Sequence, residues 1–223
     1  MTRGTAGYPG RVKVTVFGAT GKIGRHVLEQ LLVGGHDVTV LVRTPAKLAV
    51  DPDRLTVVVG ELSDVDAVRR VVQGADAVVS ALGPSMDPRA AGAALTNGTR
   101  TILAAMDRAG VRRFVGLATP SIADSRDRPT LVDRLLPVAV GVVLPHGLIE
   151  LRGMSQAVME SDLDWTLARF TAPTDLPAVR TLRSGFLGHD SVGWLMTRSD
   201  IAAFVVGQLT DTRYLQAAPA SSN

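Results

Sequence analysis

The sequence predicts a doubly wound α/β fold, a parallel sheet with helices on both faces. Apolar runs of strand length alternate with amphipathic runs of helix length from Val12 to Leu209. The stretch Arg11 to Arg43 is a complete βαβ unit: strand, glycine turn, helix, second strand. Hydrophobic residues make up 46% of the chain but aromatic ones only 4%, leaving a core of Val, Ala and Leu, the composition of buried parallel strands.

The elements follow in order. Val12 to Phe17 is the first strand, Gly18 to Gly24 the turn, Arg25 to Val33 the helix, and Val38 to Val42 the second strand. Pro45 to Val50 forms a short helix or turn, and the β-branched run Leu55 to Val59 a third strand ending at Gly60. Ser63-Asp64 caps a helix through Gln73 whose buried stripe is Val65, Val68, Val71 and Val72. Ala77 to Ser80 is a fourth strand, Ala90 to Ala109 a long helix stopped by Gly110, and Arg113 to Ala118 a fifth strand. From Asp124 to Pro145, three prolines and Gly141 predict broken helical segments. His146 to Glu160 is a helix and Asp164 to Arg169 a sixth strand. Phe170 to Gly188 reads as irregular. Thr197 to Asp200 leads into a final helix, Ile201 to Leu209, and Tyr214 to Ala217 is expected as a short closing strand.

A length of 223 residues suits one domain, with residues 1–10 a frayed arm and residues 11–223 the folded unit. The absence of cysteine excludes disulfides, thiolate catalysis and cysteine-ligated metals. His26, His36, His146 and His189 lack metal-ligand spacing, so no metal site is expected. No apolar run is long enough to span a bilayer, and residues 1–10 carry no signal core, which gives the expectation of a cytoplasmic protein with no membrane partner. A net charge of +3, dispersed along the chain, is too small for a nucleic-acid surface. The expected partner is a small-molecule substrate. Oligomeric state stays open, since the apolar run Leu131 to Leu144 can pack inside or between copies.

Gly18-x-x-Gly21-x-x-Gly24 differs from G-x-G-x-x-G in spacing but not in mechanics. One glycine permits the tight turn, one lets a diphosphate approach backbone N–H groups, and one allows close helix–strand packing. The anion then faces a helix N-terminus. Ile23 after Lys22 excludes a Walker A loop. The residue ending the second strand selects the dinucleotide. An acidic group there accepts from the ribose 2′-OH of NAD, whereas this chain has Arg43, whose guanidinium can pair with a 2′-phosphate. The expected cofactor is NADP(H).

Phe17 to Gly24, Val40 to Arg43, Asp76 to Val79, Ala109 to Val115 and Leu163 to Thr166 together resemble the NAD(P)H-binding, NmrA-like branch of atypical short-chain dehydrogenases, which are Rossmann-like. Within that branch the chain is nearest to the biliverdin-IXβ reductase/flavin reductase type. The resemblance implies that Thr20, Lys22 and Ile23 lie along the diphosphate, and Arg43 with Thr44 along the 2′-phosphate. It places Gly60-Glu61-Leu62 against adenine and Ala81-Leu82-Gly83 beside the nicotinamide-proximal ribose. It also implies substrate-side segments at about residues 120–146 and 170–197, the second offering Phe186, Leu187 and Trp194 as apolar surface; Trp194 weighs more as ordinary core.

The catalytic residues of the wider family are missing. Its Tyr-x-x-x-Lys pair would fall near Gly147 and Leu151, and neither can transfer a proton. The serine of the biliverdin/flavin reductase type aligns with Thr119, and its histidine near Ala172. The remaining catalytic candidates are Thr119, Ser121 and His146, with Thr119 also counted as a cofactor contact; Arg169 matches a family position as a ligand or a salt-bridge residue. Hydride transfer to a conjugated acceptor needs mainly placement, with a solvent proton completing it. The leading expectation is therefore an NADPH-dependent reductase of a flavin-, quinone- or tetrapyrrole-like molecule or a biosynthetic intermediate. A dinucleotide-sensing regulator and a non-redox isomerase or cyclase are the alternatives.

Overall fold

A computed structural model of the chain describes residues 10–48, 50, 54–84, 93–128 and 145–223. The main sheet has eight strands in the order β3-β2-β1-β4-β5-β6-β10-β8. Its first six, β1 (Lys13–Phe17), β2 (Asp37–Val42), β3 (Leu55–Val59), β4 (Ala77–Ser80), β5 (Arg113–Ala118) and β6 (Asp164–Arg169), are all parallel. The chain winds outward from β1 to β3, then returns to β4 on the other side of β1. Strand order reverses between β1 and β4, and a crevice opens there beyond the carboxyl ends of the strands.

Among the described residues five α-helices flank the sheet: α1 (Gly24–Val33), α2 (Val65–Val72), α3 (Ala94–Ala109), α4 (Pro145–Met159) and α5 (Arg198–Gly207). They divide the buried side chains into two cores. Val27, Leu28 and Leu31 of α1 pack with Ile201 and Val205 of α5 on one face. Val68 and Val72 of α2 pack with Ile102 and Met106 of α3 on the other. Caps fall where the sequence places them: the Asp64 carboxylate accepts from the Ala67 amide at 2.9 Å, and Gly110 ends α3 in the left-handed region at φ 68°.

Some of the boundaries differ from expectation. α3 begins at Ala94, and residues 129–144, where broken helices and the Leu131 to Leu144 run were placed, lie outside the described residues, as do residues 1–9 of the expected arm. The stretch read as irregular contains β7 (Ala172–Thr174) and β8 (Arg183–Gly185), and β7 pairs with β9 (Leu195–Thr197) in a separate two-stranded sheet. The last helix starts at Arg198 rather than Ile201, because the Thr197 hydroxyl accepts from the Asp200 amide at 3.1 Å and so caps it three residues earlier.

The closing strand is β10 (Ala220–Ser222), not Tyr214 to Ala217. Only Ala217 of that stretch forms a bridge, to Thr166. Tyr214 instead turns its ring into the core against Phe204 and Phe186, which takes it out of strand geometry. β10 runs parallel to β6 and antiparallel to β8.

Candidate functional site

The glycine turn joins the end of β1 to α1. Gly18 has φ 80°, and a Cβ there would lie 2.8 Å from the Ala81 carbonyl, so the turn requires glycine on both counts. A Cβ on Gly24 would come within 2.0 Å of the Gly18 carbonyl oxygen, so α1 can start this close to the strand only from a residue without one. The Gly21 amide donates to Gly18 at 3.0 Å, leaving Gly21 and Lys22 at the surface. Ile23 gives α1 no side-chain cap, and within its first turn the Arg25 amide donates to the Gly21 carbonyl at 3.0 Å.

Beside this turn lies a cleft of about 700 Å³, well within the size of small-molecule sites. It runs past the ends of β1, β2, β3 and β4 and is closed by α3 and α4. Of the residues singled out in the sequence, Gly18, Thr20, Arg43, Glu61, Leu62, Leu82, Gly83 and His146 are brought together on its wall. Gly21, Lys22, Ile23, Gly24, Thr44 and Ala81 are next to those residues in the chain but are not part of the wall. Thr119 and Ser121 stand elsewhere, just after β5. Their hydroxyls lie 2.7 Å apart and hydrogen-bond to each other.

Arg43 is exposed on the cleft rim, and no hydrogen bond or ion pair engages its guanidinium among the described residues. Lys22 lies 4.0 Å from Asp175, whose carboxylate Arg198 holds at 2.6 Å, so a salt bridge joins the glycine turn to the segment after β7. Two wall residues escaped sequence reading. Gly98 lets α3 approach, since a Cβ there would meet Leu62 at 2.7 Å. Glu150 accepts from the Leu95 amide at 2.6 Å and closes the start of α3. On paper Glu150 looks like any polar residue of an amphipathic helix; only its register relative to His146 hinted otherwise.

A sequence profile of proteins described as NAD(P)H-binding matches residues 18–212. The chain belongs to the NAD(P)H-binding family. Among its relatives, a 3-beta-hydroxysteroid dehydrogenase from Mycolicibacterium neoaurum is 32% identical over 131 residues, 51% of this chain and 33% of that protein. The chain thus spans about a third of the length of the curated relatives it matches. Two solved structures superpose over nearly the whole chain. A short-chain dehydrogenase/reductase from Veillonella parvula in complex with NADP has a TM-score of 0.75 at 19% identity, covering 95% of this chain and 94% of that one. An anaerobillin reductase from Escherichia coli O157:H7 has a TM-score of 0.75 at 18% identity, covering 94% and 96%. At these identities they establish a shared fold.

The site of this NAD(P)H-binding protein suits its cofactor in shape and charge. The uncapped start of α1 and the close approach at Gly18 match a diphosphate, and the guanidinium of Arg43, unpaired among the described residues, matches a phosphate monoester. Among the described residues no cluster of His, Asp or Glu could hold a metal ion.

Arg169, a candidate ligand from sequence, is instead fully buried. It forms a fork with Asp127 at 2.6 and 2.7 Å and donates to the Ile122 carbonyl at 2.8 Å. Asp127 also accepts from the Leu187 and Asp124 amides, each at 2.9 Å. Asp124 in turn accepts from Arg126 and from the Ala218 amide. Burial pushes the Asp124 carboxyl up, but hydrogen bonds from the Arg126 guanidinium and from the Ala218 and Arg126 amides outweigh it and hold it below the usual carboxylate range. This network ties the loop after β5 to β6, to the loop after β8 and to the segment at Ala218 that leads into β10. Arg169 is therefore a structural residue, 0% exposed, with no path to a ligand. Phe186 is half-buried under the Arg126 guanidinium, 4.6 Å from its ring centre. Trp194, weighed as core, is 47% exposed, just before β9 at the rim of the small two-stranded sheet.

Proposed function

We propose that this protein is an NADPH-dependent reductase of a conjugated small molecule, one of flavin, quinone or tetrapyrrole type. The observation that carries the reading is the content of the cleft. It offers a guanidinium for the 2′-phosphate at Arg43 and a place on α4, at Gly147, where the tyrosine of a ketone reductase would stand but no side chain does. A site without that fixed acid suits acceptors whose reduced form spreads charge over a conjugated system. Thr20, Lys22 and Ile23 would hold the diphosphate, Arg43 and Thr44 the 2′-phosphate, Glu61 and Leu62 the adenine, and Leu82 and Gly83 the ribose next to nicotinamide. When bound, NADPH supplies a hydride. The protein's own part is to orient the ring and to exclude water with α3 and α4. The tetrapyrrole class draws support from the anaerobillin reductase that shares the fold.

The test is spectrophotometric. NADPH oxidation at 340 nm should accelerate when flavins, quinones or linear tetrapyrroles are added to the purified protein. Tight NADPH binding with no turnover across such a panel would sink the reductase reading. It would favour the second one, a dinucleotide sensor, which the position of Thr119 and Ser121 outside the cleft wall supports. No described helix is long and apolar enough to cross a membrane, consistent with an acceptor met in water.

A further inference from the structure

The Tyr-x-x-x-Lys pair of classical relatives would occupy Gly147 and Leu151, so α4 looks stripped of chemistry. One residue earlier, at the same spacing, stand His146 and Glu150, and both line the cleft. Residues four apart on a helix share a face, with Cβ atoms about 5–6 Å apart. We propose that His146 and Glu150 replace the missing pair: Glu150 holds the ribose next to nicotinamide and positions His146, and His146 is the proton donor. This rests on the reductase reading and gives it a residue that sequence comparison does not assign.

The placement of Glu150 is tightly determined. Its Oε2 accepts from the Leu95 amide at 2.6 Å, and its own carbonyl accepts from the Thr96 hydroxyl at 3.4 Å. One turn further on, Gly153 lets α4 press against Thr96, where a Cβ would lie 2.5 Å from the hydroxyl oxygen. α3 thus fixes the backbone and one carboxylate oxygen of Glu150, and Oε1, without a hydrogen-bond partner among the described residues, can accept a ribose hydroxyl and the N–H of an imidazole. The surroundings are sparsely charged. Apart from His146 and Glu150, the described wall carries only Arg43 and Glu61 as charged groups, both on strand ends across the cleft, and α3 contributes none.

The step balances. A hydride moves from the dihydronicotinamide to the acceptor, leaving NADP⁺. One N–H bond of protonated His146 breaks as the new O–H or N–H bond forms on the reduced acceptor, and water returns a proton to the imidazole. No hydrogen bond joins His146 and Glu150 among the described residues; with the cofactor bound, Glu150 would accept from the other ring N–H and keep the ring aimed through both events.

Glu150→Gln separates chemistry from architecture, since the amide oxygen still accepts from Leu95. Fluorescence titration should show NADPH binding to Glu150→Gln weakened about tenfold, the loss of one charge-assisted hydrogen bond. Binding of 2′,5′-ADP, which lacks the nicotinamide half, should be unchanged. Turnover should fall about 10²-fold in His146→Ala, recover in part with added imidazole, and fall no further in kcat when Glu150→Gln is added, because the two act as one unit. NADPH binding within about twofold of native, or an equal loss for NADPH and 2′,5′-ADP, would overturn the ribose role. Additive kcat losses, or no imidazole rescue, would overturn the pair. Should the native protein turn over no acceptor at all, the reductase reading fails by itself, and the two binding measurements still decide the role of Glu150.

Discussion

At the scale of single residues, the proposed preference for NADPH rests on Arg43. Its guanidinium ends β2 at the cleft rim without a protein partner among the described residues, so a 2′-phosphate would gain a charge-assisted contact at little rearrangement. Such a contact contributes about 1.5–3 kcal/mol. Arg43→Ala should therefore weaken NADPH binding by about 10- to 100-fold while leaving NADH within about twofold, measured by titration of both nucleotides. Equal losses for the two would show that Arg43 does not read the 2′ position. Residues of this kind were legible in the sequence because they act through backbone demands or end a strand. Gly18 and Gly24 are forced by local geometry, and Arg43 by its place after Val42. Glu150 was not, because its role depends on Leu95, 55 residues away, and Arg169 was legible only as a ligand or a salt-bridge residue, since its partner Asp127 lies 42 residues away.

At the scale of elements, the divide runs between long and short pieces. β1 to β6 and the helices between them repeat an apolar period often enough to be recognised. β7, β8 and β9 have three residues each, contain Pro173 and polar side chains, and cannot show a period. What shapes them is tertiary: the Asp127–Arg169 fork, the amides of Leu187 and Asp124, and the Asp200 carboxylate that accepts from the Val179 and Arg180 amides at 2.8 and 3.2 Å. The strain of Arg180, at φ 62°, is held by that last carboxylate. Asp127→Ala leaves Arg169 buried without its counter-charge and should cost about 3–5 kcal/mol in chemical denaturation. A loss below about 1 kcal/mol, the size of an exposed pair, would show that the fork does not hold the loops.

At the scale of the molecule, the cleft draws on four strand ends, the glycine turn and two helices, so a ligand there braces most of the parallel sheet. At a free concentration about 100 times its Kd, NADPH should add about 2.7 kcal/mol of stability. For a chain of this length that is a rise in Tm of roughly 5–10 °C, read by scanning fluorimetry. NADH at the same concentration should give a smaller rise. An unmoved Tm at saturating NADPH would place the dinucleotide outside the folded cleft. The doubly wound order was legible because alternation alone specifies it. The far end of the sheet was not, since β10 is Ala-Ser-Ser, a segment of low strand propensity recruited by its neighbours.

That late strand also has a meaning for biosynthesis. β6 is formed from a segment that leaves the ribosome well ahead of its outer neighbour, since Ser221 follows Arg169 by 52 residues. In the interval, the nucleotide-binding half has every strand it needs, but its outer rim presents unmatched N–H and C=O groups to the crowded surroundings. Growth of the nascent chain thus passes through a stage in which the β6 border stays adhesive until β10 arrives to cover it.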